Sequence, residues 1–295
     1  MNERFVDFKI AKRGMNQQKI CIVHYHLNAG TMPANRRIEI SILLIISILI
    51  SAAIGYHYYE ISGSAIPNKN TETTGLIIPL YFDPNGSWDY LLEIHQQFPK
   101  VPIMVIMNPD NGPGQNFSSD YLNWTQKMEG LGILVLGYIY TSYGNRSIDV
   151  VKNQTMEYLD WYHVNGIFLD EVSDNASYGQ YYENITDMCR STGAEYIAGN
   201  PGTSVPSGIT KYFNITVLYE NPGVPPAANI SNIVNGTPRS GSAIICYDIE
   251  SLDESTVEDI SNYFSYVYFT NYGMPDPYES LPVYLCQEAS ILSNR

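Results

Sequence analysis

GIFLDE, Gly166 to Glu171, runs a glycine and three apolar residues straight into two adjacent carboxylates, Asp170 and Glu171. A stretch of this kind reads as a buried strand that ends in charge. Ionised carboxylates resist burial unless paired, so an acid pair at the end of a core strand marks a place where a sheet meets solvent or a ligand. The pattern recurs in TVLYEN, where Val217, Leu218 and Tyr219 lead into Glu220. The strands of one parallel barrel open their C-terminal ends on one face, so acids distant in sequence can meet across its mouth. Paired carboxylates there are the equipment of glycoside hydrolysis. The competing reading is that Asp170 and Glu171 merely open a loop or cap the next helix.

The rest of the chain supplies the barrel. Short apolar, β-branched and aromatic runs bounded by turn residues fall at 76–81, 103–107, 133–138, 166–170, 196–199, 216–220, 243–247 and 266–270. Helical periodicity fills the gaps over Trp88 to Phe98, Asp120 to Met128, Ile148 to Tyr162 and Tyr178 to Cys189. Ser255 with Glu258 reads as a capping box before a helix over Asp259 to Phe264, and Gly130, Gly166 and Gly193 read as helix stops. Eight β-then-α units predict a (β/α)₈ TIM barrel over residues 75–295. The fifth and sixth units are compressed, and a doubly wound open sheet is the alternative.

On a barrel, each strand end delivers a polar residue to one face: Asp83, Asn108, Tyr138, Asp170 with Glu171, Asn200, Glu220 with Asn221, Asp248 and Asn271. Proline follows Asp83, Asn108, Asn200 and Asn221. A residue before proline is held extended, which fixes its direction at the rim. The same residues are also ordinary turn formers. Tyr81, Tyr138, Tyr140, Tyr143, Tyr219, Tyr247 and Tyr272 lie near strand ends, and aromatic faces with a polar tip suit a wet sugar-binding groove. Asp83, Asn108, Tyr138, Asn200, Tyr219 and Asp248 are therefore the candidate substrate contacts. His95 and His163 fall inside helical segments without a partner at ligand spacing, so neither a metal site nor a cofactor is expected.

The front of the chain reads differently. Ile40 to Tyr56 is an uncharged run of 17 residues, at the short end of what crosses a bilayer. Seven basic residues precede it, with Arg36 and Arg37 close by, which keeps that end cytoplasmic. The expected order is a basic cytoplasmic tail (1–37), a transmembrane signal anchor (38–56), a linker (57–74) and an extracellular barrel. A cleaved signal peptide that releases the domain is the competing reading. All ten Asn-X-Ser/Thr triplets follow the apolar run, a distribution that fits an exported, glycosylated surface. Residues 57–295 hold nine Lys or Arg against 27 Asp or Glu, a net formal charge of −18. Such a surface repels nucleic acid and attracts cations or a cationic polymer. Of the four cysteines only Cys189, Cys246 and Cys286 lie in this part, enough for one disulfide at most.

GLIIPLYFDP (75–84), MVIMNPDNGPG (104–114), VLGYIYTSYG (135–144), GIFLDE (166–171), GNPGT (199–203) and YEN (219–221) together resemble the spherulation-specific family 4 (spherulin-type) proteins. Those are related to hydrolases of galactosamine-containing exopolysaccharides. The resemblance covers roughly residues 75–290 and implies a (β/α)₈ barrel acting as a retaining endo-α-1,4-N-acetylgalactosaminidase. It implies Asp170, Glu171 and Glu220 as the functional acids, with Asp170 the nucleophile and Glu220 the acid/base. Glu171 would tune either one or itself donate the proton. The implied partner is an amino-sugar polysaccharide, which the acidic domain would meet best as a partly deacetylated, cationic chain. The alternative is a catalytically silent barrel serving as a lectin or coat protein. A carbonyl hydrolase lacks support, because no GxSxG turn or His-rich site is present.

Overall fold

Runs dense in β-branched and aromatic residues take extended backbone, and strands separated by helical segments pair in parallel. A computed structural model describes residues 73–294 of the chain. Its strands are β1 (Gly75–Leu80), β2 (Ile103–Met107), β3 (Leu134–Tyr140), β4 (Gly166–Asp170), β5 (Tyr196–Gly199), β6 (Ile215–Pro222), β7 (Ser242–Tyr247) and β8 (Tyr266–Phe269). They pair in chain order, every pair parallel, and β8 closes on β1. The closed barrel excludes the open sheet. Each strand starts within one residue of its sequence-predicted position.

The helices are α1 (Gly86–Gln97), α2 (Ser119–Gly130), α3 (Ile148–Glu157) continued by a π turn at Tyr158–Tyr162, α4 (Gly179–Thr192), α5 (Ser207–Thr210), α6 (Ala227–Val234), α7 (Glu254–Ser261) and α8 (Leu285–Ser293). The compressed fifth unit is a single turn. Two local expectations are corrected. The cap of α7 is Asp253, whose carboxylate accepts the Thr256 N–H at 2.9 Å and the Ser255 and Thr256 hydroxyls at 2.7 Å each, so Ser255 sits inside the first turn. Gly166 stops no helix: His163, in the left-handed region at φ 58°, ends the segment before it, and Gly166 opens β4. The basic tail and the apolar run at 38–56 lie outside the described residues. Among the described residues no helix is long and apolar enough to cross a membrane.

Side chains alternate across a strand, and paired residues of neighbouring strands share a face. The register therefore assigns the barrel interior. Ile106, Leu136 and Gly166 align, as do Tyr138 with Phe168 and Ala198 with both Phe168 and Ile215. One step up each strand, the same inward parity reaches Tyr81, Asn108, Tyr138, Asp170 and Asn200. Burial of nearly every strand residue seals both faces, as a barrel wrapped in helices requires.

Asparagines at the strand entrances tie neighbours together. Asn165 Oδ1 accepts the Val135 N–H at 2.7 Å, and Asn214 Oδ1 accepts the Ile197 N–H at 3.0 Å. Val135 is fully buried, so Asn165→Ala would leave its N–H unpaired. The expected loss is about 1–3 kcal/mol, read from the urea midpoint; an unchanged midpoint would contradict this role.

Candidate active site

Strand β6 contains the feature that decides the site. Its register against β7 runs Val217 to Ala243 and then Tyr219 to Ile244, leaving Leu218 without a partner. In an unshifted register Tyr219 would share the inward face of Ile245 and Tyr247. The extra residue reverses that parity, so Glu220 pairs with Ile245 and faces the mouth.

Asp170 and Glu220 meet across Asn200, which is buried at the end of β5. Asn200 Nδ2 donates to Asp170 Oδ1 at 2.8 Å and to Glu220 Oε2 at 2.5 Å. Its Oδ1 accepts the Gly202 N–H at 2.9 Å, which sets the amide so that both its N–H groups point at the acids. Two oxygens held on one nitrogen at these distances are at most about 5.3 Å apart. Tyrosines hold the outer oxygens: Tyr138 Oη donates to Asp170 Oδ2 at 2.8 Å, and Tyr278 Oη donates to Glu220 Oε1 at 2.5 Å. Tyr81 stands edge-on to both rings, 5.3 Å from Tyr138 and 5.4 Å from Tyr278.

Burial, and then the Glu220 charge, push the Asp170 carboxyl up to about 6, against the pull of its hydrogen bonds from Tyr138, Asn200 and the Glu171 backbone. Burial, reinforced by the nearby carboxylates, raises Tyr81, Tyr138 and Tyr278 far above the ordinary phenol range. These phenols stay protonated and act as donors.

Beside the pair lies a cavity of about 520 Å³, lined by Tyr81, Asn108 to Asn111, Glu220, Tyr247 and the segment Met274 to Glu279. Its lining includes Asp110, Asp276 and Glu279 and no basic side chain.

The remaining sequence candidates are distributed as follows. Asn108 lines the cavity, with its Oδ1 accepting the Gly112 N–H at 3.1 Å. Asp83 is exposed at the rim, accepts the Tyr121 hydroxyl at 2.9 Å and borders a shallower hollow that also touches Asn108. The bulge turns Tyr219 away from the mouth; its hydroxyl donates to the Gly223 carbonyl at 3.2 Å, and it lines a separate hollow with Asn221 and Asn229. Asp248 is exposed, takes φ 58° and lies outside the mouth lining, because alternation gives that place to Tyr247. Glu171 follows Asp170 at φ 51°, a costly conformation for a residue with a side chain, and its carbonyl accepts the Tyr143 N–H and the Thr141 hydroxyl. No hydrogen bond joins its carboxylate to Asp170 or Glu220. Sequence reading missed Tyr278, which comes from the segment after β8 and not from a strand end; no local signal distinguishes it from the domain's other tyrosines.

The family model for spherulation-specific family 4 matches residues 75–292. Spherulin-4 of Physarum polycephalum is 31% identical over 179 residues, covering 59% of this chain and 53% of spherulin-4, so the chain spans about half the length of that relative. Among solved structures, Aspergillus clavatus Sph3, in complex with GalNAc, matches with a TM-score of 0.68 at 22% identity, over 75% of this chain and 98% of Sph3. A chitinase from Chromobacterium violaceum matches with a TM-score of 0.50 at 7% identity, over 75% of this chain and 99% of the chitinase. At these identities the two structures speak for the fold alone, a closed (β/α)₈ barrel. The family match spans every strand of the barrel and both strand ends that carry the facing acids, and the chain belongs to spherulation-specific family 4.

Proposed function

We propose that this protein is a retaining, endo-acting glycoside hydrolase of an α-1,4-linked polymer containing galactosamine or N-acetylgalactosamine. The observation that carries this reading is the Asn200 amide held between Asp170 and Glu220. It keeps their facing oxygens within about 5.3 Å of each other, which supports the short spacing of retaining enzymes over the wider one that inversion needs for its water. Asp170 attacks the anomeric carbon. The glycosidic C–O bond breaks, its electron pair stays on the leaving oxygen, and that oxygen takes the proton of Glu220. Water, deprotonated by Glu220, then releases the sugar from Asp170. The GalNAc bound in Sph3 supports the sugar class, and the acidic cavity without a basic residue favours units bearing a free ammonium. An extracellular location, with residues 38–56 as the anchor, is the matching cellular proposal.

The test is to incubate the full-length chain with α-1,4-linked galactosamine and N-acetylgalactosamine oligomers and follow products by mass spectrometry. Internal cleavage with retained configuration is expected, faster on the partly deacetylated chain. Intact oligomers that bind without cleavage would favour the lectin or coat protein instead.

The pH profile has a defined sign. Asp170 attacks only when ionised, and its carboxyl is pushed up to about 6. Turnover should fall about tenfold per unit below that pH, and a profile flat down to pH 4 would count against Asp170 as the nucleophile. The same raised carboxyl binds its proton more tightly in the folded chain than in the unfolded one. Its contribution to stability is therefore lost as pH rises through about 6.

A further inference from the structure

Glu220 is not held by the barrel alone. Its Oε2 is occupied by Asn200, whose N–H can only donate, while its Oε1 is met by Tyr278, whose hydroxyl can donate or accept. Tyr278 belongs to the segment between β8 and α8, and its ring is buried edge-on against Tyr81 and tilted over Tyr268 at 6.4 Å. Asp170, Tyr138, Tyr81, Tyr278, Glu220 and Asn200 thus form a closed ring of contacts in which Tyr278 alone comes from outside the strands and their ends. An oxygen that constantly accepts an N–H is better used as the carbonyl of a carboxylic acid than as its hydroxyl. Asn200 consequently reserves Oε2 as the carbonyl, and the acidic proton is left to Oε1, the oxygen beside Tyr278, which lines the cavity together with Glu220.

We infer that Tyr278 is a positioning residue for proton donation: it fixes the rotation of the Glu220 carboxyl so that Oε1 carries the proton toward the leaving oxygen. This assignment rests on the glycosidase reading and adds which oxygen acts and what aims it. The Tyr278 hydroxyl bonds to Glu220, and its effect passes through that residue.

Tyr278→Phe keeps the ring and removes the hydroxyl, so the full-length variant should keep its thermal midpoint. Two substrates then separate the roles: the galactosamine oligomer, whose sugar leaving group needs a proton, and a 2,4-dinitrophenyl α-glycoside of the same sugar, whose leaving group departs without one. kcat/KM is the right quantity because it covers only steps up to bond cleavage. The expected result is a loss of at least about tenfold on the oligomer against less than about twofold on the aryl glycoside. Equal losses on both would overturn the assignment, since they would mean that Tyr278 serves binding or the spacing of Asp170. No loss on either would also overturn it. A wild-type chain inert toward both substrates would be a different result, removing the glycosidase reading and this assignment with it.

Discussion

Asp170→Asn is expected to lower oligomer cleavage by at least about 10⁴-fold while oligomer binding survives, because the substitution keeps the shape and removes the attacking charge. Glu220→Gln should cost about 10²–10⁴-fold on the oligomer and much less on a dinitrophenyl glycoside. The two acids then part under azide. With Glu220→Gln, a small anion can attack the glycosyl-Asp170 intermediate without a general base, so azide should accelerate turnover and give a product of retained configuration. With Asp170→Asn there is no such intermediate, and any azide product must be inverted. Glu171→Gln completes the set. Its carboxylate has no hydrogen bond to either acid, so about tenfold or less is expected. If Glu171→Gln is the variant that azide rescues and Glu220→Gln is not, the acid/base role passes to Glu171. Loss of binding together with cleavage in Asp170→Asn would mean that the residue holds substrate and not the reaction.

Gly166→Ala should be the most damaging single-carbon change in the barrel. A Cβ on Gly166 would lie 1.9 Å from the Tyr196 carbonyl oxygen, 2.7 Å from its carbonyl carbon and 3.0 Å from its Cα. These are backbone atoms of the paired strand, where Gly166 aligns with Tyr196. No rotamer change relieves the contact; β4 must separate from β5, and these strands carry Asp170 and Asn200. Forced overpacking of this kind costs about 3–5 kcal/mol, a large part of the roughly 5–15 kcal/mol that holds a domain together. The thermal midpoint should fall by about 6–20 °C. Gly86→Ala is the control: a Cβ there meets nothing within 4 Å, so a change within about 0.5 kcal/mol is expected. A wild-type midpoint in Gly166→Ala would show that β4 and β5 do not pair in this register.

The extent to which the site was legible in the sequence follows from how local each cause is. Strand positions follow from runs of apolar and β-branched residues, and those are properties of five or six consecutive side chains. Period-two alternation is equally local. Carried from the inward residues of β3, β4 and β5, it points Tyr138, Asp170 and Asn200 to the mouth, and applied to β7 it would have chosen Tyr247 over Asp248. Helix starts are less legible, since Asp253, Ser255 and Glu258 all offer capping chemistry and only the backbone path decides which is used.

What the sequence by itself determined is thus the eight-unit order, the rim of polar residues, and acids at the ends of β4 and β6. Tertiary structure decided which residues those acids face. Tyr219 and Glu220 are adjacent, and which one enters the mouth depends on the shift at Leu218, a relation between β6 and β7 that neither strand encodes alone. The Asn200 amide joins groups 30 and 20 residues away, and Tyr278 reaches Glu220 across 58 residues. Gly166 looked like a helix stop because its true neighbour, the Tyr196 backbone, lies on another strand. The physical reason is common to all of these: periodicity and propensity act between near neighbours in the chain, whereas hydrogen bonds, register and steric exclusion act between near neighbours in space, which exist only once the barrel has closed.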